Sequence, residues 1–290
     1  MTADQRGNLL DTQRQGGILI ASNETCPSRR LTSMRITPLA SGSSGNCFLV
    51  QGREYSILID AGLSAKQVSE RLDLVGVDPA SLSAILVSHG HSDHVKGVGV
   101  LSRKYKLPLY MNGGTWNEIQ RYVGKIHSLE LFQTGRVFQI GCFRVHPFSV
   151  PHDSAEPVGF RISHGTARLG IATDLGSITS LVTTLLQDLQ VVVLESNHDP
   201  KMLLDGPYPW ELKQRVKGRL GHLSNEDSGK ILQRIATDEL QAVILAHLSS
   251  TNNRVDLAME SATYSLKAFL ERRANLYCAQ QHEVGPIIEW

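Results

Sequence analysis

Four potential metal ligands fall within six residues, His89-Gly90-His91-Ser92-Asp93-His94, directly after the apolar run Ala84-Ile85-Leu86-Val87. The run reads as a buried strand, so the ligands sit on the loop that leaves a strand end. Imidazole nitrogen and carboxylate oxygen suit Zn²⁺ and, less tightly, Mn²⁺ or Fe²⁺. In a tight loop His89 and His91 can point the same way and hold one ion, while Asp93 and His94 point past them towards a second. Two ions about 3.5–4 Å apart can share one hydroxide and clamp an in-line displacement. The bland alternative is a polar loop that happens to be rich in histidine. The strand-end position and further candidate ligands downstream argue against it.

The chain of 290 residues fits one large domain or two small ones. Its 41% apolar content supports a real core. The net charge of +1 excludes a chain-wide basic surface, so any nucleic-acid contact must come from a local patch. The four cysteines, Cys26, Cys47, Cys142 and Cys278, form no C-x-x-C pair and read as free thiols in a reducing cytoplasm. No apolar run is long enough for a membrane span, and no export signal opens the chain. Oligomeric state is not legible. Residues 1–33 are polar and turn-rich and read as a disordered N-terminal extension, or as upstream sequence ahead of a natural start near Met34.

The body alternates strand and helix signals. Strands are expected at Arg35–Leu39, Cys47–Gln51, Ser56–Asp60, Ala84–Ser88, Leu109–Met111, Val137–Ile140, Phe143–Ser149, Val191–Glu195 and Ala242–Ala246. Val158–Ser163 and Ala167–Ala172 read as a hairpin. Helices are expected at Ala65–Leu74, with Ser64 as N-cap, and at Val95–Tyr105, Ile178–Leu186, Trp210–Lys217, Ser224–Thr237 and Val255–Arg272. Strands interleaved with helices imply sheets covered by helices.

H-x-H-x-D-H after a strand resembles the metal motif of the metallo-β-lactamase-fold hydrolases, and the resemblance runs from about Met34 to Trp290. Ser41-Gly42-Ser43-Ser44-Gly45-Asn46-Cys47, Val150-Pro151-His152-Asp153, Ala172-Thr173-Asp174-Leu175-Gly176, Gly221-His222-Leu223-Ser224-Asn225 and Ala246-His247-Leu248-Ser249 are similar to the bacterial YycJ/WalJ-like branch. The resemblance implies an α/β (α+β) architecture: a four-layer αβ/βα sandwich, two central sheets flanked by helices, as a single domain over residues 34–290. The interval from Asp174 to His247 leaves no room for the cap inserted there in β-CASP nucleases, and the tRNA-gripping arm of RNase Z-like enzymes is not evident. The site should therefore be open.

Each downstream candidate follows a strand. His152 would complete a first metal site with His89 and His91, and Asp174 could bridge two ions with one oxygen each. A solvated loop histidine and a turn-opening aspartate are the alternatives. In the phosphodiesterase branches the last ligand follows the last buried strand, and an earlier histidine faces the scissile phosphate. That pattern assigns His247 to the second ion with Asp93 and His94, and makes His222 catalytic; the swapped assignment stays open. Asp60 is expected to orient a ligand histidine from behind. Glu195 could hold the ring of His222, or be a structural acid. Ser43, Ser44 and Asn46 form a candidate phosphate cradle, and Asn252 lies in a second polar loop. Lys213, Arg215, Lys217 and Arg219 precede His222. By default they form a solvated face, but Arg215 or Lys213 could reach substrate phosphates.

Metals lower the pKa of bound water from about 15.7 to about 7, giving a bridging hydroxide that attacks phosphorus. His222 would protonate the leaving oxygen, with Asp93 and Glu195 among the catalytic residues. The cofactors expected are two divalent ions, Zn²⁺ or Mn²⁺. By resemblance the expected activity is that of a DNA exonuclease, 5′-to-3′ and linked to mismatch repair. Alternatives are a phosphodiesterase acting on small or cyclic phosphates, a glyoxalase II-like thioester hydrolase, and a non-catalytic DNA-binding module.

Overall fold

The computed structural model describes residues 33–271 and 274–290. Apart from Ser33, the expected disordered extension lies outside the described residues. Strands run β1 (Arg35–Ala40), β2 (Cys47–Gln51), β3 (Ser56–Ile59), β4 (Ala84–Leu86), β5 (Pro108–Met111), β6 (Ser128–Leu131), β7 (Phe138–Ile140), β8 (Phe143–Ser149), β9 (Val158–His164), β10 (Ala167–Ala172), β11 (Val191–Glu195), β12 (Ala242–Ala246), β13 (Asn275–Cys278) and β14 (Ile288–Glu289). Helices are α1 (Ala65–Leu74), α2 (Ser92–Val95), α3 (Val98–Tyr105), α4 (Gly113–Val123), α5 (Ser180–Leu185), α6 (Pro200–Asp205), α7 (Trp210–Lys217), α8 (Asn225–Ile235) and α9 (Val255–Leu270).

The described strands form two seven-stranded sheets, ordered β14-β1-β2-β3-β4-β5-β6 and β13-β12-β11-β10-β9-β8-β7. Each begins as an antiparallel meander, β1 to β3 and β7 to β10. Each then continues in parallel, β3 to β6 and β10 to β13. Parallel neighbours need crossovers, and α1, α3 and α4 supply them in the first sheet, α5, α8 and α9 in the second.

Three apolar layers separate four layers of structure. Alternation along β2 sends Phe48 and Val50 inward between the sheets, where they join Ile57, Phe143, Phe160, Val193 and Ile244. Leu49 points the other way, into a layer with Leu58, Ile85, Val68, Leu101 and Ile119 beneath the first set of helices. Val192, Leu194 and Val243 pack likewise against Val182, Ile231 and Leu266. This is the expected αβ/βα sandwich.

Ser64 caps α1 through a capping box with Gln67. The helix expected over Val95–Tyr105 is broken in two. Gly97 donates its N–H to Ala61 O at 2.8 Å, pulling the chain against the strand-end loop. Helix α4 was not expected, because it opens on Gly113-Gly114, weak helix formers; Asn112 caps it by accepting from Thr115 N at 2.9 Å. Strands β6 and β13 are half-exposed edges without an apolar run. Helix α6 starts on a sequence signal of its own, Asp199 as N-cap and Pro200 at the first helical position.

Candidate metal centre

Strands β1, β3, β4, β8, β10, β11 and β12 end at one edge, and the loops beyond them converge there, as ligand-bearing loops do in open α/β sheets. Asp60 follows β3, His89 follows β4, His152 follows β8, Asp174 follows β10, Glu195 ends β11 and His247 follows β12. Asp60, Asp174 and His247 hold φ of 59°, 58° and 57°, the left-handed region that side chains other than glycine rarely adopt. The strands thus end in sharp, strained turns that aim side chains sideways into the cluster.

His89, His91 and His152 offer ligand atoms within 4.8 Å of one another, and so do Asp93, His94 and His247. His91 Nδ1 faces His152 Nε2 at 3.2 Å. The other nitrogen of His152 lies 3.0 Å from Gly221 O, which fixes the tautomer and leaves a lone pair on Nε2. His94 Nδ1 lies 2.8 Å from Asp60 Oδ2, so its Nε2 points into the cluster. There it meets Asp93 Oδ2 at 3.4 Å and Asp174 Oδ2 at 3.2 Å. Asp174 spans the two groups: Oδ1 is 3.7 Å from His152 Nε2 and Oδ2 is beside His94. His247 Nε2 is 3.4 Å from Asp93 Oδ2.

The His91–His152 contact sets two ring nitrogens against each other beside the Asp174 carboxylate, an arrangement that calls for positive charge. Burial lowers the pKa of His94 and of His247, but nearby carboxylates, Asp174 foremost, outweigh this and hold both well above the usual range. Burial drives His89 well below it. Burial raises Asp93, yet His94 and His247 hold it far below the usual carboxylate range. His89 Nε2 is buried without a hydrogen-bond partner among the described residues. An orphaned lone pair of this kind, in an imidazole–carboxylate set, fits a divalent cation.

Glu195 is fully buried and ties four residues together. Its Oε1 lies 2.8 Å from both His222 Nδ1 and His247 Nδ1. Its Oε2 accepts from Leu175 N at 2.7 Å and Leu223 N at 3.1 Å. Contact with His222 matches the sequence reading; the reach to His247 was not foreseen, because register alone brings the strand end of β11 beside that of β12. Burial lowers His222, but the Glu195 carboxylate outweighs it and raises its pKa.

A cleft of about 190 Å³ opens over the cluster, lined by Ser43, His91, Asp93, His222, Arg215 and Leu212 among others. Arg215 Nε donates to Asp153 Oδ2 at 2.7 Å, a rim pair that sequence reasoning missed, although Asp153 adjoins His152. Asn46 is buried; its Nδ2 lies 3.1 Å from His94 Nε2 and 3.3 Å from Asp93 Oδ2, behind the ligands. Ser44 is exposed, with its N–H on Gln281 Oε1. Asn252 is buried and is not among the residues lining the cleft.

The beta-lactamase superfamily domain matches residues 55–248. Exodeoxyribonuclease YycJ of Bacillus anthracis is 39% identical over 81% of this chain and 89% of its own length. Exodeoxyribonuclease WalJ of Streptococcus pneumoniae is 38% identical over 76% and 83%. The chain belongs to the metallo-β-lactamase-fold hydrolases. Within that superfamily it sits in the YycJ/WalJ branch. The fold is shared with the metallo-β-lactamase fold protein YhfI from Bacillus subtilis, with a TM-score of 0.70 and 20% identity over 90% of this chain and all of that one. The protein is a metal-dependent hydrolase whose donor set suits divalent cations. No helix among the described residues is long and apolar enough to cross a membrane.

Proposed function

We propose that the chain is a dinuclear phosphodiesterase that degrades DNA as an exonuclease, in line with its exodeoxyribonuclease relatives, and that it works 5′-to-3′ in the service of mismatch repair. The carrying observation is His222: Glu195 holds its Nδ1, its pKa is raised, and it stands at the mouth of the cleft beside the imidazole–carboxylate cluster. His89, His91 and His152 would hold one ion and Asp93, His94 and His247 the other; Asp174, whose oxygens face His152 and His94, would reach both. Bound divalent ions supply an activated water and neutralise charge on the phosphate. His222, fixed by Glu195, keeps Nε2 free to give a proton to the leaving oxygen. Asp60 fixes the His94 ring. Arg215 at the rim and Ser43 in the cleft are the groups offered to a substrate phosphate.

DNA is favoured over a small phosphodiester by the exodeoxyribonuclease relatives, and the cleft is compatible with it. At about 190 Å³ it falls below the roughly 300–1,000 Å³ of sites that enclose whole small ligands. It suits one phosphate of a polymer whose remainder stays outside. End-labelled single- and double-stranded DNA and RNA, incubated with Mn²⁺- or Zn²⁺-loaded protein, test the reading. Stepwise shortening of DNA from its 5′ end is expected. Intact DNA alongside hydrolysis of bis-p-nitrophenyl phosphate, or of a thioester, would replace it with a small-substrate enzyme.

A further inference from the structure

One face of α4 joins the two loops that carry His91 and His152. Tyr122 donates its hydroxyl to Gly90 O at 2.7 Å, between His89 and His91. Glu118, one turn earlier on the same face, accepts at Oε2 from Ser154 Oγ at 2.8 Å and from Ala155 N at 3.4 Å, just beyond His152. Ser154 Oγ in turn accepts from Gly90 N at 3.4 Å. The approach is close enough that a Cβ on Gly90 would lie 2.3 Å from Glu118 Oε2. The Tyr122 residue is 59% exposed, so its ring adds little packing, and the hydroxyl contact is what the fold uses.

Among the described residues no hydrogen bond from α4 reaches Asp93, His94 or His247. These are braced by Asp60, Asn46 and Glu195 instead, and Asp60 also reaches His89 through Ser88 Oγ. We infer that Tyr122 and Glu118 are positioning residues for one ion only, the one at His89, His91 and His152; this rests on the two-ion reading above. Through Gly90 and Ser154 they fix the spacing of two loops that each bring ligands; partners bonded directly to a ligand typically account for about 10–100-fold in metal affinity, and these two act one step further out.

The test is calorimetric titration of metal-free protein with Mn²⁺ in two backgrounds. His247→Ala leaves the first ion, and His91→Ala leaves the second. Tyr122→Phe removes one hydroxyl from an exposed ring and leaves the fold intact; Glu118→Gln is the companion. Either change should weaken the ion kept in His247→Ala by several-fold, up to about tenfold, and leave the ion kept in His91→Ala unchanged. Equal weakening in both backgrounds, or none in either, would overturn the inference. Two ions bound as in wild type by either histidine variant would instead sink the two-ion reading on which it stands.

Discussion

At the scale of single residues, Glu195 carries the most. One oxygen serves two imidazoles and the other serves two backbone N–H groups, so a buried carboxylate is fully satisfied. On the proposed reading, loss of His222 separates chemistry from metal binding. His222→Ala should lower kcat about 10²–10⁴-fold while ion stoichiometry holds. The pH profile gives the sign. A histidine acid works while protonated, and its pKa is raised by Glu195. Activity should therefore persist above the ordinary histidine range and fall as pH rises through the raised value. Glu195→Gln removes the charge responsible, so at saturating metal the falling limb moves to lower pH. An unmoved limb would assign the proton to another group.

At the scale of elements, the strand ends do the positioning, and they were largely legible. Cys47–Gln51, Phe143–Ser149, Val191–Glu195 and Ala242–Ala246 match their expected bounds, because buried β-branched and aliphatic runs announce themselves. The gathering of His152, Asp174, Glu195 and His247 at the histidine-rich loop followed from His152, Asp174 and His247 lying just past a strand and Glu195 ending one. What stayed hidden depends on contacts between distant segments. Helix α4 opens on two glycines, Asn46 turns inward to Asp93 and His94, and Asp153 meets Arg215. None of these leaves a periodic trace. Gly62 is similar: a Cβ there would fall 1.6 Å from Asp93 O. Gly62→Ala should displace the loop, weaken the ion shared by Asp93, His94 and His247, and cost at least about 1–3 kcal/mol in thermal unfolding. Gly113→Ala, with nothing within 4 Å, is the control and should be neutral or stabilising. Equal behaviour of the two variants would contradict this account of the loop.

Across the whole molecule, two similar halves each turn from a meander into parallel strands, and the site lies where the strand ends meet. The net charge of +1 leaves nucleic-acid affinity to a local track. On the proposed reading Lys213, Arg215, Lys217 and Arg219 would supply at most four phosphate contacts there, Arg215 being engaged by Asp153 and Lys213 by Leu204 O. At about −0.7 per contact on single strands, log K against log salt should be no steeper than about −3. A much steeper slope would mean that other surfaces grip the strand. The central claim, two cations gathered by ligands from far-apart segments, is tested most directly by anomalous scattering from crystals soaked in Mn²⁺. Two peaks are expected, one bonded to His89, His91 and His152, the other to Asp93, His94 and His247, with Asp174 touching both. A single peak, or peaks away from these side chains, would contradict it.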